Sequence, residues 1–305
     1  MLKKYTPYLF LLLFSVSAHS EERFKIFGHY SQAYAISSGE TVFGIPSEGT
    51  FDYRSIGLQF NFNPSEKNRV SIQTKHRRIG RHPIMGLSEN LEFDWGFYQR
   101  NFSDNTWIKA GRILRPFGIY SEINDVGVLL PFYQATYTLY FNNTFTSKVY
   151  DGIAFYHLFE FQNGWSLSME VFAGEYKFYE WYVLSNFLTG ERIELVDTVD
   201  GQNSWGFWNW LNVGQDGTRL GFGLTQADYR GGIQFLEEGL IGPVKLHMFH
   251  GSIDYTKDTW FARAEGSFVN ASRNTFRGFG YNTQYSIEFI QNIRLNLQYE
   301  YFAIR

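Results

Sequence analysis

Cysteine is absent from the 305 residues. No disulfide framework and no thiolate metal or redox site can form. Positive charge is not in excess either. The 27 Lys+Arg face 30 Asp+Glu, for a net charge of −3, and this balance lacks the basic stripe of a nucleic-acid partner. The 7 histidines form no ligand-spaced pair with carboxylates, so no metal site and no cofactor are expected. Long apolar runs are missing after residue 20, where no stretch approaches the roughly 20 residues of a membrane-spanning helix. A chain like this crosses a membrane with strands or not at all.

What is present begins with a leader. Lys3 and Lys4 precede an apolar run from Tyr8 to Val16, and Ala18-His19-Ser20 supplies small residues before a cut after Ser20. That pattern predicts a signal peptide over 1–20, removed on export. An N-terminal membrane anchor is the alternative, and the acidic Glu21-Glu22 favours release. Residues 21–305 are then a single unit.

Aromatic residues make up 20% of the chain, yet mean hydropathy is −0.28. A soluble core would surround its aromatics with Leu and Val and raise that average. Apolar side chains facing lipid and polar ones lining water give this mixture instead. Strict alternation recurs from end to end. Ile56, Leu58, Phe60 and Phe62 alternate with polar or small residues, as do Leu91, Phe93, Trp95 and Phe97. So do Trp165 to Val171, Leu220 to Leu224, and Ile293 to Tyr301. A period of two gives each stretch an apolar and a polar face, over about the ten residues that a tilted transmembrane strand needs.

The connections are asymmetric. Tight polar turns at 64–68, 103–105, 162–164, 215–217 and 256–258 alternate with longer segments at 37–50, 81–90, 115–150, 176–204 and 227–243. Short turns at one end and long loops at the other are the pattern of a porin-type barrel. A soluble β-sandwich also alternates, but needs neither feature. Phe60, Phe62, Trp107, Trp165 and Trp260 sit beside short turns, where an interfacial aromatic girdle belongs. The fold class expected is all-β, a transmembrane antiparallel β-barrel.

The alternation predicts roughly thirteen strands, near 22–36, 51–63, 69–80, 91–101, 107–114, 151–161, 165–175, 205–213, 218–226, 244–255, 259–269, 276–288 and 293–304. Single-chain bacterial barrels have an even number. Either 176–199 hides a further strand, or the chain lacks its closing strand or strands from a barrel of about 14–16. The ending Ala303-Ile304-Arg305, with no terminal aromatic, favours the second expectation.

One block is more specific. Lys109-Ala110-Gly111-Arg112 runs into Pro116-Phe117-Gly118-Ile119-Tyr120-Ser121-Glu122, then Asp125-Val126-Gly127, with Tyr150-Asp151-Gly152 opening the next strand. This block resembles a family of proteobacterial outer-membrane porins, in which an Ala-Gly-Arg strand enters a Pro-x-Gly-x-Tyr-Ser-Glu loop. The resemblance implies a general or lightly selective porin, often trimeric, whose third long loop folds into the lumen. The partners implied are outer-membrane lipid and lipopolysaccharide, small solutes and a homotrimer. The sequence departs from the pattern at its C-terminus and in the bulky Leu129-Leu130-Pro131-Phe132-Tyr133.

Charged side chains at the narrowest point set a pore's selectivity. The candidate basic liners are Lys75, Arg77 and Arg112; the acidic ones are Glu92, Asp94, Glu122 and Asp125. Strand parity points Lys75, Arg77, Glu92 and Asp94 inward. On the fifth strand parity is ambiguous, since Arg112 shares a face with Ile108 and Ala110, and Lys109 with Trp107 and Ile113. The expectation is that 115–150 sets Glu122 and Asp125 across the lumen from Arg112, with Lys75 and Arg77 behind it. Two other classes remain open. An outer-membrane phospholipase would need Ser and His, and His250 and Ser252 share a face. A receptor or adhesin would use long loops, and 176–204 is rich in Tyr, Trp and Glu. The reading is a porin for small polar or charged solutes rather than an enzyme.

Overall fold

Wherever apolar and polar residues alternate, the backbone extends and pairs with the next such stretch. The strands are β1 (Phe24–Gln32), β2 (Tyr53–Ser65), β3 (Asn68–Ile79), β4 (Glu92–Ser103), β5 (Thr106–Leu114), β6 (Val149–Glu160) and β7 (Ser166–Ser185). They continue as β8 (Arg192–Val213), β9 (Thr218–Gly231), β10 (Val244–Lys257), β11 (Trp260–Ala271), β12 (Arg277–Ile290) and β13 (Ile293–Ile304). The geometry is that of a computed structural model, which describes residues 23–37, 45–79, 91–121, 147–185, 192–214, 217–231, 244–272, 277–291 and 293–304. At 79, 180–185, 192–196 and 304 it describes the backbone alone.

The thirteen strands form one sheet in chain order, each antiparallel to its neighbours. The described residues contain no α-helix. Tight turns join β2 to β3, β4 to β5, β8 to β9 and β10 to β11 at one end, and the long connections lie at the other. No ladder joins β13 to β1 among the described residues, so the sheet is unclosed there, as the odd count led us to expect. The expected long loop at 176–204 is a hairpin instead. β7 and β8 run on past their neighbours, pairing Tyr176 with Gly201 and Phe178 with Val199. Residues 176–199 therefore lengthen two strands and add no fourteenth. Tyr176, Phe178 and Val199 are all buried on the inner side, which gives this upper hairpin an apolar seam.

The outer face is apolar and exposed. Leu58, Phe93, Ile153, Phe222, Ile253 and Leu297 all point away from the interior. Above Ile56 and Thr74, towards the long loops, polar residues end the band. There Asp52 bonds Arg54 at 2.6 Å and Arg78 at 2.8 Å. These guanidinium groups hold the Asp52 carboxyl below its ordinary range. Inward positions carry Asn61, Ser71, Gln73, Ser252, Asp254, Asn282 and Gln284, all buried.

Two expected orientations are overturned. A bulge at Asp94 lets β4 gain one residue on β3, between the pairs Gln73↔Trp95 and Thr74↔Phe93. An extra residue reverses parity beyond it. Phe93 faces out, but Trp95 and Phe97 turn inward, with Trp95 only 6% exposed. Trp107 is also internal rather than in the girdle. It pairs in register with Asn101 and Tyr156 and stacks on Tyr156 at 4.7 Å and 1°. Phe62 and Trp165 are exposed beside short turns as expected.

Glycine marks where the inner wall is crowded. Gly221 and Gly223 lie on the inner face of β9 beneath Trp208 and Trp210. A Cβ at Gly223 would stand 2.4 Å from the Trp208 ring and 2.6 Å from the Phe207 carbonyl oxygen. At Gly111, in the Ala-Gly-Arg block, φ is +131° and a Cβ would stand 2.6 Å from the Gly96 carbonyl. Only glycine fits that approach.

Candidate functional site in the lumen

The connection between β5 and β6 enters the interior. Its two stems are tied by the Arg115 N–H donating to the Lys148 carbonyl at 2.8 Å. Arg115 is 2% exposed, with its guanidinium 4.6 Å above the Phe117 ring and 5.9 Å from that of Tyr176. Phe117 packs against His250 of β10, ring centres 4.2 Å apart. The Ile119 N–H donates to Glu265 Oε1 of β11 at 2.7 Å. The Tyr120 hydroxyl donates to Gln284 Oε1 of β12 and accepts from Arg263 Nη1 of β11 at 2.9 Å. Burial pushes the Tyr120 phenol up to about 12, with Arg263 opposing the shift. A segment rooted on β5 thus packs on β10 and bonds to β11 and β12, so the sheet curves round and residues 115–121 cross its interior.

Above this crossing, towards the long loops, a cavity of about 480 Å³ is lined both by the inward Lys75, Asp94 and Tyr176 and by the outward Phe93, Arg112 and Asp151. Asp94 stands on its wall, bonded by Lys75 at 2.8 Å and by Lys148 at 2.7 Å. Gln73 Nε2 also donates to this carboxylate at 2.9 Å. The bulge that reverses β4 also swings Asp94 into this position. Burial holds the Lys148 ammonium well below the ordinary lysine range; Asp94 opposes the shift and Lys75 adds to it.

On the short-turn side lies a second cavity of about 630 Å³, whose walls include Trp107, Tyr156, Glu170, Trp208, Trp210 and Arg219. Arg219 and Arg263 both bond Asp254, at 2.6 and 2.9 Å, and Arg219 lies 4.5 Å above the Trp210 ring. His250 and Ser252 do share an inward face. The Ser252 hydroxyl donates to Glu265 at 3.1 Å, while His250 Nε2 lies 3.5 Å from the same carboxylate oxygen. The acid sits between them, an arrangement unlike a nucleophile bonded to its base.

The residues expected at the site divide accordingly. Lys75 and Asp94 meet in an ion pair, Glu92 is the register partner of Lys75, and Arg77 lies on the same side of β3 as Lys75. Arg112 lines the same cavity as Lys75, Glu92 and Asp94, but from the outward face. It pairs in register with Gly96 and Asp151, on the face that exposes Tyr98, Ile108 and Ile153. Its guanidinium makes two bonds to Asp151, at 2.8 and 2.9 Å, and lies 5.6 Å from the outward Phe93 ring. The ambiguous parity of β5 resolves with Lys109 inward and Arg112 at the outer rim of the apolar band. Glu122 and Asp125 lie outside the described residues. Sequence reasoning missed Arg115, Lys148, Asp254, Arg263 and Glu265. Parity along β10 and β11 would have found the last three; Arg115 and Lys148 sit on loop stems, where no periodicity applies.

No family model matches the chain, and no curated protein matches it. Solved structures do. The outer membrane channel DcaP of Acinetobacter baumannii is similar over 92% of this chain and 79% of its own, with TM-score 0.52 and 10% identity. A loop-deletion mutant of OmpT, an outer membrane protein of Vibrio cholerae, is similar over 93% and 95%, with TM-score 0.44 and 10% identity. The second likeness is too loose to carry an argument, and the first speaks for the fold alone. The chain has the fold of an outer-membrane antiparallel β-barrel.

Proposed function

We propose that the chain is an outer-membrane porin. It is exported through its signal peptide, and small polar or charged solutes diffuse passively through a lumen narrowed by the 115–150 connection. The observation that carries this reading is the path of residues 115–121 from β5 across the interior to Glu265, Arg263 and Gln284. A filled barrel needs no such strut, whereas a pore uses one to narrow an aqueous path. The exposed apolar face supports insertion in lipid, since strands with lipid-facing apolar and lumen-facing polar residues suit a bilayer. Cavities on both sides of the crossing, lined by charged groups, supply the polar surface that a solute would meet.

Swelling of liposomes that contain the purified protein tests this directly. Uptake of small sugars, falling steeply with solute size, is the expected result. Liposomes that swell no faster than protein-free ones would overturn the reading. One observation favours a second reading, a receptor or adhesin barrel: the β7–β8 hairpin extends well past its neighbours. Such a barrel would give no swelling, and shortening the hairpin would abolish attachment to its partner.

A further inference from the structure

The inner wall on the short-turn side is built from two register rows. In one, Trp107 of β5 is followed by Tyr156 of β6, Glu170 of β7, Trp208 of β8 and Gly223 of β9. In the next, Leu158 of β6 is followed by Ser168, Trp210 and Gly221. Neighbouring strands lie about 4.8 Å apart, so β6 and β8 raise their bulky side chains roughly 10 Å from each other. Between them β7 supplies only Ser168 and Glu170. The result is a trough with large apolar groups on each flank and polar groups along its base. Trp107 braces Tyr156 from behind, stacked at 4.7 Å, and the edge contact of Trp208 with Trp210 at 5.4 Å fixes the opposite flank. Tyr156 and Trp210 are half-buried, so part of each ring meets the space between them.

Pro116, Gly118, Ile119 and Ser121 of the crossing cover this trough, and the enclosed cavity of about 630 Å³ lies within the range of ligand pockets. The strand residues that line it all take the inward parity. Trp208 is 4% exposed, and its indole Nε1 has no hydrogen-bond partner among the described residues. A buried N–H of this kind normally finds an acceptor. Arg219 donates two bonds to Asp254 and brings further N–H donors to the wall. We propose that this cavity binds a saccharide, with C–H groups of a pyranose ring against Tyr156 and Trp210 and its hydroxyls bonding Glu170, Ser168, Arg219 and the Trp208 N–H. The negative face of an aromatic ring attracts weakly positive C–H groups. A simple anion would meet Glu170 and Asp104 there. An organic ammonium would suit the rings and Glu170 but leave the Arg219 and indole donors unused. A ring of hydroxyls, each both donor and acceptor, satisfies all of them. The site's role in transport rests on the porin reading, with saccharides as favoured solutes; binding does not.

The test is calorimetric titration of the full-length protein with maltose, in a polyoxyethylene detergent that carries no sugar of its own. The wild type should bind. Trp210→Leu and Glu170→Gln should each weaken binding roughly tenfold, the loss of one aromatic or one charge-assisted contact. Trp210→Phe keeps an aromatic face and should retain most of the affinity, which separates loss of the ring from loss of fold. Trp165→Leu, on the exposed outer face, should bind as the wild type does. Absence of maltose binding in the wild type, equal affinity in Trp210→Leu, or binding of choline in place of maltose would overturn the proposal. The porin reading fails on a different result, absence of swelling, whatever maltose does.

Discussion

At the residue scale the crossing rests on a few bonds, and Tyr120 makes two of them. Tyr120→Phe removes the hydroxyl that bonds Gln284 and Arg263. Leaving such partners unsatisfied costs about 1–3 kcal/mol, which should appear as a lower denaturant midpoint with the strand content unchanged. Lys75 was legible from the sequence because parity decides which way a mid-strand charge points, and Asp94 was legible as inward although a bulge sets its exact place. Arg112 was not, since Ala110 on its face and Lys109 on the other give β5 no clean contrast. Its place at the outer rim follows from pairing with Asp151, a contact across strands that no local pattern encodes.

At the element scale the strands themselves were legible. Alternation marks most of them, β5 least cleanly, and polar turns mark their short-end boundaries. The misreadings lie where the period of two breaks. The bulge at Asp94 turns Trp95 and Phe97 inward after Phe93 faces out, and nothing local in that stretch announces an inserted residue. The upper β7–β8 hairpin escapes the sequence reading because its alternation is inverted: Glu175, Lys177 and Asp200 take the outer parity, and Tyr176, Phe178 and Val199 the inner. The glycines of β9 are a different case. Their alternation with Leu220, Phe222 and Leu224 is plain in the sequence, but the need for them is not, because Trp208 and Trp210 come from β8. Gly223→Val would drive a side chain into the Trp208 ring and the Phe207 carbonyl. Overpacking of that kind costs about 1–3 kcal/mol, and a lower midpoint than that of a Phe222→Leu control would register it.

At the scale of the whole molecule, the sheet, its apolar exterior and its polar interior make a wall, and residues 115–121 cross the space within. The resemblance in the Ala-Gly-Arg block anticipated an inward loop, and residues 115–121 take that path. The clamp that holds them could not be anticipated, because Glu265, Arg263 and Gln284 lie more than a hundred residues downstream. The central claim is that this crossing narrows a conducting lumen. Single-channel recording in a planar bilayer, comparing the wild type with a Tyr120→Ala, Arg263→Ala double variant, tests it most directly. Discrete steps are expected in the wild type and larger, noisier steps in the variant, whose loop loses the Tyr120 bonds to β11 and β12 and keeps that of Ile119 to Glu265. Steps of identical size in both proteins, or none in either, would contradict it.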